Sequence, residues 1–227
     1  MPQSWLLLCC ILSPVVVIAR LYSLLPKSGS VNSRKQRGES NTCSLAVFLG
    51  SGGHTSEALS LVSSLDFSRY TPRKYIISEG DSLSAQKASD LEQDAASKSE
   101  NNPTSYEIVV VPRARQVHQP LITTPPTALW SLLSVMKLLL FSGGSCSFSD
   151  ILLLNGPGTC FILCLAVYIL RFFGIPTPRL IYVESFARVN TLSLSGKLLR
   201  PVVDRFIVQW PQLLADGKRG DCYGCLV

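Results

Sequence analysis

The chain is short of the residues that most often carry chemistry. It has two histidines, two methionines and three tryptophans in 227 residues, and 16% of it is charged. No Asp-x-Asp pair occurs, so there is no acidic clamp for a metal–nucleotide pair, and no metal site is expected. No Asn-x-Ser/Thr acceptor with a non-proline centre occurs, in keeping with a domain kept out of a glycosylating lumen. No lysine follows the glycines at 50–53, which excludes a Walker A loop, and Thr55 stands where a GxGxxG fingerprint needs glycine. Glu79 ends a candidate second strand, where a ribose-binding acid often sits, so the dinucleotide reading is weakened rather than excluded. The net charge of +6 is not gathered into an aromatic-interleaved basic stripe, which argues against nucleic acid. It reads instead as affinity for anionic headgroups.

A disulfide framework is also missing. The eight cysteines fall at 9, 10, 43, 146, 160, 164, 222 and 225, several within apolar runs, as reduced buried thiols do. Cys222 and Cys225 form a CxxC that stands alone. A zinc site needs two further ligands, so an exposed pair in a loose tail is expected.

What the chain has in quantity is apolar sequence, 47% of its residues. Residues 5–19 are almost unbroken apolar, and after Arg20 the pattern resumes to Leu25 before Pro26. Roughly 20 such residues cross a bilayer core. No lysine or arginine precedes the run and Val17-Ile18-Ala19 is a poor cleavage site, which favours an uncleaved anchor over a cleaved signal. Arg20 can snorkel to the interface. Lys27, Arg34, Lys35 and Arg37 follow, and the positive-inside bias places the rest of the chain on the cytosolic side. Residues 1–25 are thus an expected transmembrane anchor, 26–42 a basic linker, 43–213 the main domain and 214–227 a separate tail.

Beyond the linker, strand and helix patterns alternate. Strands are expected over 43–49, 74–78, 106–111, 150–154, 179–183 and 205–208. Helices are expected over 56–65, 81–102, 127–141, 159–173 and 195–203, with a proline-rich loop over 112–126. The strands are near-continuous apolar runs, as in a parallel sheet covered on both faces. Right-handed βαβ units then give an α/β, Rossmann-like parallel sheet of about six strands. Helix 159–173 reads as core. Helix 127–141 reads equally as core or as a helix pressed on a bilayer surface.

Ligands of such sheets bind beyond the carboxyl ends of the strands. Three segments lie there: Gly50-Ser51-Gly52-Gly53-His54-Thr55, Asn155-Gly156-Pro157-Gly158-Thr159 and Glu184-Ser185-Phe186-Ala187-Arg188. A strand feeding a glycine turn feeding a helix presents backbone N–H groups and the positive end of a helix dipole. That suits a phosphate or a developing oxyanion. His54 can act there as a general base or as a donor to phosphate. The second turn can hold an anion or a sugar hydroxyl through its N–H groups and Asn155, or be a tight turn with Thr159 as helix cap. Glu184 can orient His54 or a substrate hydroxyl, or pair with Arg188. Glu57 is expected to complement the helix dipole.

Four motifs taken in order are more specific than any one of them. Leu49-Gly50-Ser51-Gly52-Gly53-His54-Thr55-Ser56-Glu57, Asn155-Gly156-Pro157-Gly158-Thr159, Tyr182-Val183-Glu184-Ser185-Phe186-Ala187-Arg188-Val189 and Phe206-Ile207-Val208-Gln209-Trp210-Pro211 resemble the membrane-anchored subunit of the UDP-N-acetylglucosamine transferase of asparagine-linked glycosylation. The resemblance runs from the anchor to about Leu213 and departs over 214–227, which are polar and glycine-rich. It implies the N-terminal half of a two-domain GT-B glycosyltransferase, the chain being too short for a second such domain after Pro211. It implies a soluble catalytic partner that binds UDP-N-acetylglucosamine, with no resident cofactor here. It further implies addition of the second N-acetylglucosamine to a dolichol-linked N-acetylglucosamine diphosphate on the cytosolic face of the endoplasmic reticulum. His54 and Glu184 would then be catalytic, and Gly50, Ser51, Gly52, Gly53, Thr55, Asn155, Gly156, Gly158 and Thr159 would hold the acceptor diphosphate. The alternatives are a membrane recruitment scaffold without a chemical role and a self-sufficient nucleotide-dependent enzyme.

Overall fold

The computed structural model describes residues 14–26, 42–98, 105–115, 119–120, 122, 124–141, 147–156 and 158–226. The first half of the expected anchor, nearly all of the linker, His118 and Pro157 lie outside them. Strand β1 (Leu45–Leu49) is buried at every position, which requires cover on both faces of its sheet. Its side chains alternate accordingly. Ala46 and Phe48 enter a core shared with Val135, Leu163 and Val167, while Leu45, Val47 and Leu49 enter a second core with Ala58, Leu59 and Val62.

The remaining elements are α2 (Gly53–Ser63), β2 (Arg73–Ser78), α3 (Ser82–Lys98), β3 (Tyr106–Val111), α4 (Thr124–Phe141), β4 (Ile151–Asn155), α5 (Thr159–Phe172), β5 (Arg179–Val183), α6 (Leu194–Leu199), β6 (Arg205–Val208), a 3-10 turn (Pro211–Leu214) and β7 (Asp221–Cys222). An N-terminal helix, α1 (Pro14–Leu24), precedes them. The strands form one sheet in the order β3-β2-β1-β4-β5-β6-β7, parallel at every pairing. Helices on both faces make this the doubly wound, Rossmann-like α/β architecture. The strand order reverses between β1 and β4. Their register sets Leu49 opposite Asn155, so both glycine turns leave the sheet side by side.

The sheet has a seventh strand where about six were expected. β7 is two residues long, Asp221 and Cys222, below the length at which periodicity is readable. It is held by side chains instead. Arg205 pairs with Asp221 at 2.7 Å. The buried Arg200 grips Asp216 with both terminal nitrogens, at 2.7 and 2.9 Å, and also donates to the carbonyls of Lys218 and Arg219. Residues 214–226 are therefore no loose tail. The Cys222–Cys225 motif begins inside β7, with Cys222 partly buried and Cys225 exposed.

Helix α4 begins earlier than the sequence pattern indicates, with Pro125 and Pro126 in its first turn, where a missing N–H costs no hydrogen bond. Only Ser131, Val135 and Leu139 of α4 are buried. Leu129, Trp130, Leu133, Leu140 and Phe141 face outward. Among the described residues α4 is the helix long and apolar enough to cross a membrane, whereas α5 is largely core. Arg20 of α1 does not point free. It donates to the carbonyls of Arg171 at 2.9 Å and Phe172 at 3.3 Å, capping the negative end of α5. Leu21 of α1 and Leu165, Tyr168 and Phe172 of α5 line an apolar groove of about 210 Å³.

Candidate active site

Helix α2 starts at Gly53, three residues before the expected Ser56, so His54 is the second residue of the helix. To enter the helix the chain turns through Ser51 at φ 36° and Gly52 at φ 62°. Ser51 is the non-glycine residue with positive φ among the described residues, a conformation that glycine adopts without strain and serine does not. The first N–H groups of a helix have no partner inside it, and Gly52 and Gly53 have open space around them, so this end of α2 faces the crevice beyond β1.

The second turn touches the first. A Cβ on Gly50 would lie 2.9 Å from the carbonyl oxygen of Asn155 and 3.3 Å from Cα of Gly156. Gly156 has φ 138° and lies against the His54 ring. Only glycine permits this approach of two backbones. It brings His54 Nδ1 to 2.9 Å from Asn155 Oδ1.

The network then extends to the other two motifs. Asn155 Nδ2 donates to Glu57 Oε2 at 3.1 Å. Ser185 Oγ donates to Glu57 Oε1 at 2.7 Å, and the backbone N–H of Phe186 reaches Oε2 at 3.4 Å. Trp210 Nε1 donates to the carbonyl of Phe186 at 2.7 Å, and the two rings pack with centroids 5.1 Å apart. Gln209, buried, donates to the Glu184 carbonyl at 3.3 Å and accepts from the N–H of Leu226 at 3.0 Å. The four motifs therefore share one hydrogen-bonded crevice edge, fastened to the C-terminal segment.

Not every expected residue points there. Thr55 is buried and shares a 2.6 Å hydrogen bond with Ser84, which donates in turn to Asp81. Its hydroxyl ties α2 to α3 and does not face the crevice. Thr159 is the first residue of α5 and not its cap; Gly158 holds that place and offers no side chain. Glu184 is 1% exposed. Its Oε2 accepts from the N–H and hydroxyl of Ser193 at 3.1 and 3.0 Å, and Oε1 from the N–H of Ser185 at 3.2 Å. These bonds brace the loop between β5 and α6; neither His54 nor Arg188 is among its hydrogen-bond partners in the described residues. Burial pushes the Glu184 carboxyl above its ordinary value, against the pull of the Ser193 hydrogen bonds. No group of three His, Cys, Asp or Glu side chains that could hold a metal converges among the described residues.

The sequence pattern gives Glu57 only a dipole role, yet it lies in the second turn of α2 and joins two other motifs. The signal for this is its spacing: residues three apart share a helix face, so Glu57 faces the same way as His54.

A family model, that of the oligosaccharide biosynthesis protein Alg14 and its like, matches residues 45–226. The chain belongs to the Alg14-like family. Membership spans the whole sheet and the C-terminal segment, so the similarity runs past Leu213, where the sequence resemblance was expected to stop. Among Alg14 relatives, the UDP-N-acetylglucosamine transferase subunit of Cryptococcus neoformans is 44% identical over 212 residues, covering 92% of this chain and 90% of its own. That of Schizosaccharomyces pombe is 42% identical over 214 residues, with 94% and 97% covered. That of Mus musculus is 42% identical over 173 residues, with 74% and 76% covered.

Proposed function

We propose that the chain is the membrane-associated, acceptor-side subunit of a bipartite UDP-N-acetylglucosamine transferase. In this reading it adds the second N-acetylglucosamine to dolichol-diphosphate-linked N-acetylglucosamine on the cytosolic face of the endoplasmic reticulum, with UDP-N-acetylglucosamine held by a separate soluble catalytic subunit. The observation that carries the proposal is the crevice at the strand-order reversal, where two glycine turns meet and His54 is held by Asn155. The exposed α2 N-terminus, with Gly52 and Gly53, supplies N–H donors and a positive dipole end for the acceptor diphosphate. Gly158 adds a second open backbone position beside it, while Gly156 packs against Gly50 and His54 and holds the two turns together. His54 Nε2 takes the proton of the acceptor 4-hydroxyl as that oxygen bonds to the anomeric carbon, and UDP leaves on the partner's side. Glu184 serves by holding the loop after β5 in place. The outward apolar face of α4 keeps the domain against the bilayer that carries the lipid acceptor.

The test is ligand binding by the full chain in detergent or nanodiscs. A short-prenyl N-acetylglucosamine diphosphate binds the chain alone, and Gly52→Val, which forces a branched side chain to φ 62°, weakens that binding. UDP-N-acetylglucosamine binds only once the soluble partner is present. Tight binding of UDP-N-acetylglucosamine to the chain alone, without binding of the lipid analogue, overturns the proposal.

A further inference from the structure

We infer that Glu57 is a positioning residue that fixes the tautomer of His54 through the side-chain amide of Asn155. The inference rests on the reading of His54 as the base. An amide looks much the same in either flip, and only its neighbours settle which end is oxygen. Here the neighbours do settle it. A carboxylate only accepts hydrogen bonds. Glu57 already accepts from Ser185 Oγ and from the N–H of Phe186, and its third contact is Asn155, at 3.1 Å. Turning the amide over would set two acceptors against each other, so the NH2 group must face Glu57. Oδ1 must then face His54, and a carbonyl oxygen at 2.9 Å requires a proton on Nδ1. A neutral imidazole with its proton on Nδ1 carries its lone pair on Nε2. His54 Nε2 has no hydrogen-bond partner among the described residues, so it is the ring atom left available as base.

The other carboxylate near these motifs does not duplicate this role, because Glu184 spends both oxygens on Ser193 and Ser185. Without the Glu57 carboxylate, Asn155 is free to present either end to the ring. His54 then divides between a form with the base on Nε2 and one with the base turned toward Asn155.

The experiment uses the full chain in detergent, labelled with 15N in its histidines, with His118→Gln so that one imidazole remains. Two-bond proton–nitrogen correlation, at a pH where the ring is neutral, reports which nitrogen holds the proton. Turnover is measured on the same chain with its soluble partner and a short-prenyl acceptor. The expected result is a proton on Nδ1 in the parent. In Glu57→Gln the expected result is a mixed or reversed tautomer and a kcat lower by roughly tenfold or more, with acceptor KM little changed. Combining Glu57→Gln with Asn155→Asp swaps amide and carboxylate. The carboxylate that then faces the ring only accepts, so the Nδ1 proton returns in the nitrogen spectrum, which a folding defect in the single variant would not allow. A parent ring protonated on Nε2, or a Glu57→Gln chain with unchanged tautomer and kcat, overturns the inference. If the tautomer behaves as expected but His54→Ala turns over normally, the positioning stands and the reading of His54 as base fails.

Discussion

Gly50→Ala is the sharpest probe of the contact between the two glycine turns. A Cβ there would lie 2.9 Å from the Asn155 carbonyl oxygen, where ordinary contact begins at 3.4 Å. The obstacle is backbone on a central strand pair and cannot rotate away. The turns must part by about 0.5 Å, which stretches the His54–Asn155 bond from 2.9 to about 3.4 Å and so weakens it. Overpacking of this kind costs about 1–3 kcal/mol. For a domain of this size each kcal/mol lowers Tm by roughly 2–4 °C, so a fall of about 2–12 °C is expected. Gly53→Ala is the control. Nothing lies within 4 Å of its added Cβ, and alanine is the better helix former. Thermal denaturation of the detergent-solubilised chain reads the stability, and transfer with the soluble partner reads the site. Gly50→Ala should lose Tm and turnover while Gly53→Ala keeps its Tm. Equal melting of Gly50→Ala and parent, with full turnover, would refute the close packing as the reason for that glycine.

Three further outcomes concern other parts of the molecule. The raised Glu184 carboxyl means that the folded state holds its proton more tightly than the unfolded chain, so its contribution to stability is present at low pH and is lost as pH rises through the folded value. Tm should therefore decline over that interval in the parent, and Glu184→Gln should flatten the decline in a pH series. Arg200→Ala removes the bidentate grip on Asp216 and two carbonyl contacts, so about 2 kcal/mol and the hydrogen-exchange protection of β7 should go together, with the C-terminal segment becoming the first site of limited proteolysis. Trp130→Glu and Leu133→Glu on the outward face of α4 should leave stability within about 0.5 kcal/mol of the parent but weaken binding to anionic vesicles; unchanged vesicle binding would remove α4 from the bilayer.

Most of the sheet was legible because buried parallel strands are written as short apolar runs. β3, β5 and β6 fall where the pattern set them, and the glycine turns fall at strand ends as the connectivity demands. What periodicity could not reach is held by side chains. β7 is only Asp221 and Cys222, and its place depends on Arg200 and Arg205, distant in sequence from what they bind. Site residues divide on the same ground. Gly50, Gly156, His54 and Asn155 announce themselves by residue type in a turn. Thr55 and Glu184 sit in the same motifs, yet their side chains turn inward to Ser84 and Ser193. Glu57 carries an ordinary explanation at its own position, and its reach to Asn155 and Ser185 needs the fold that brings three strand ends together.

The central claim is that this chain supplies the acceptor-side half of a site, with His54 as its base. The measurement that bears on it most directly is steady-state transfer from UDP-N-acetylglucosamine to a short-prenyl N-acetylglucosamine diphosphate, by the membrane-reconstituted chain with its soluble partner, comparing parent with His54→Ala. The account predicts that kcat falls by about 10²–10⁴-fold while KM for UDP-N-acetylglucosamine stays within about twofold, because the donor rests on the other subunit. Parent-level kcat in His54→Ala would contradict it and leave the chain a recruitment scaffold.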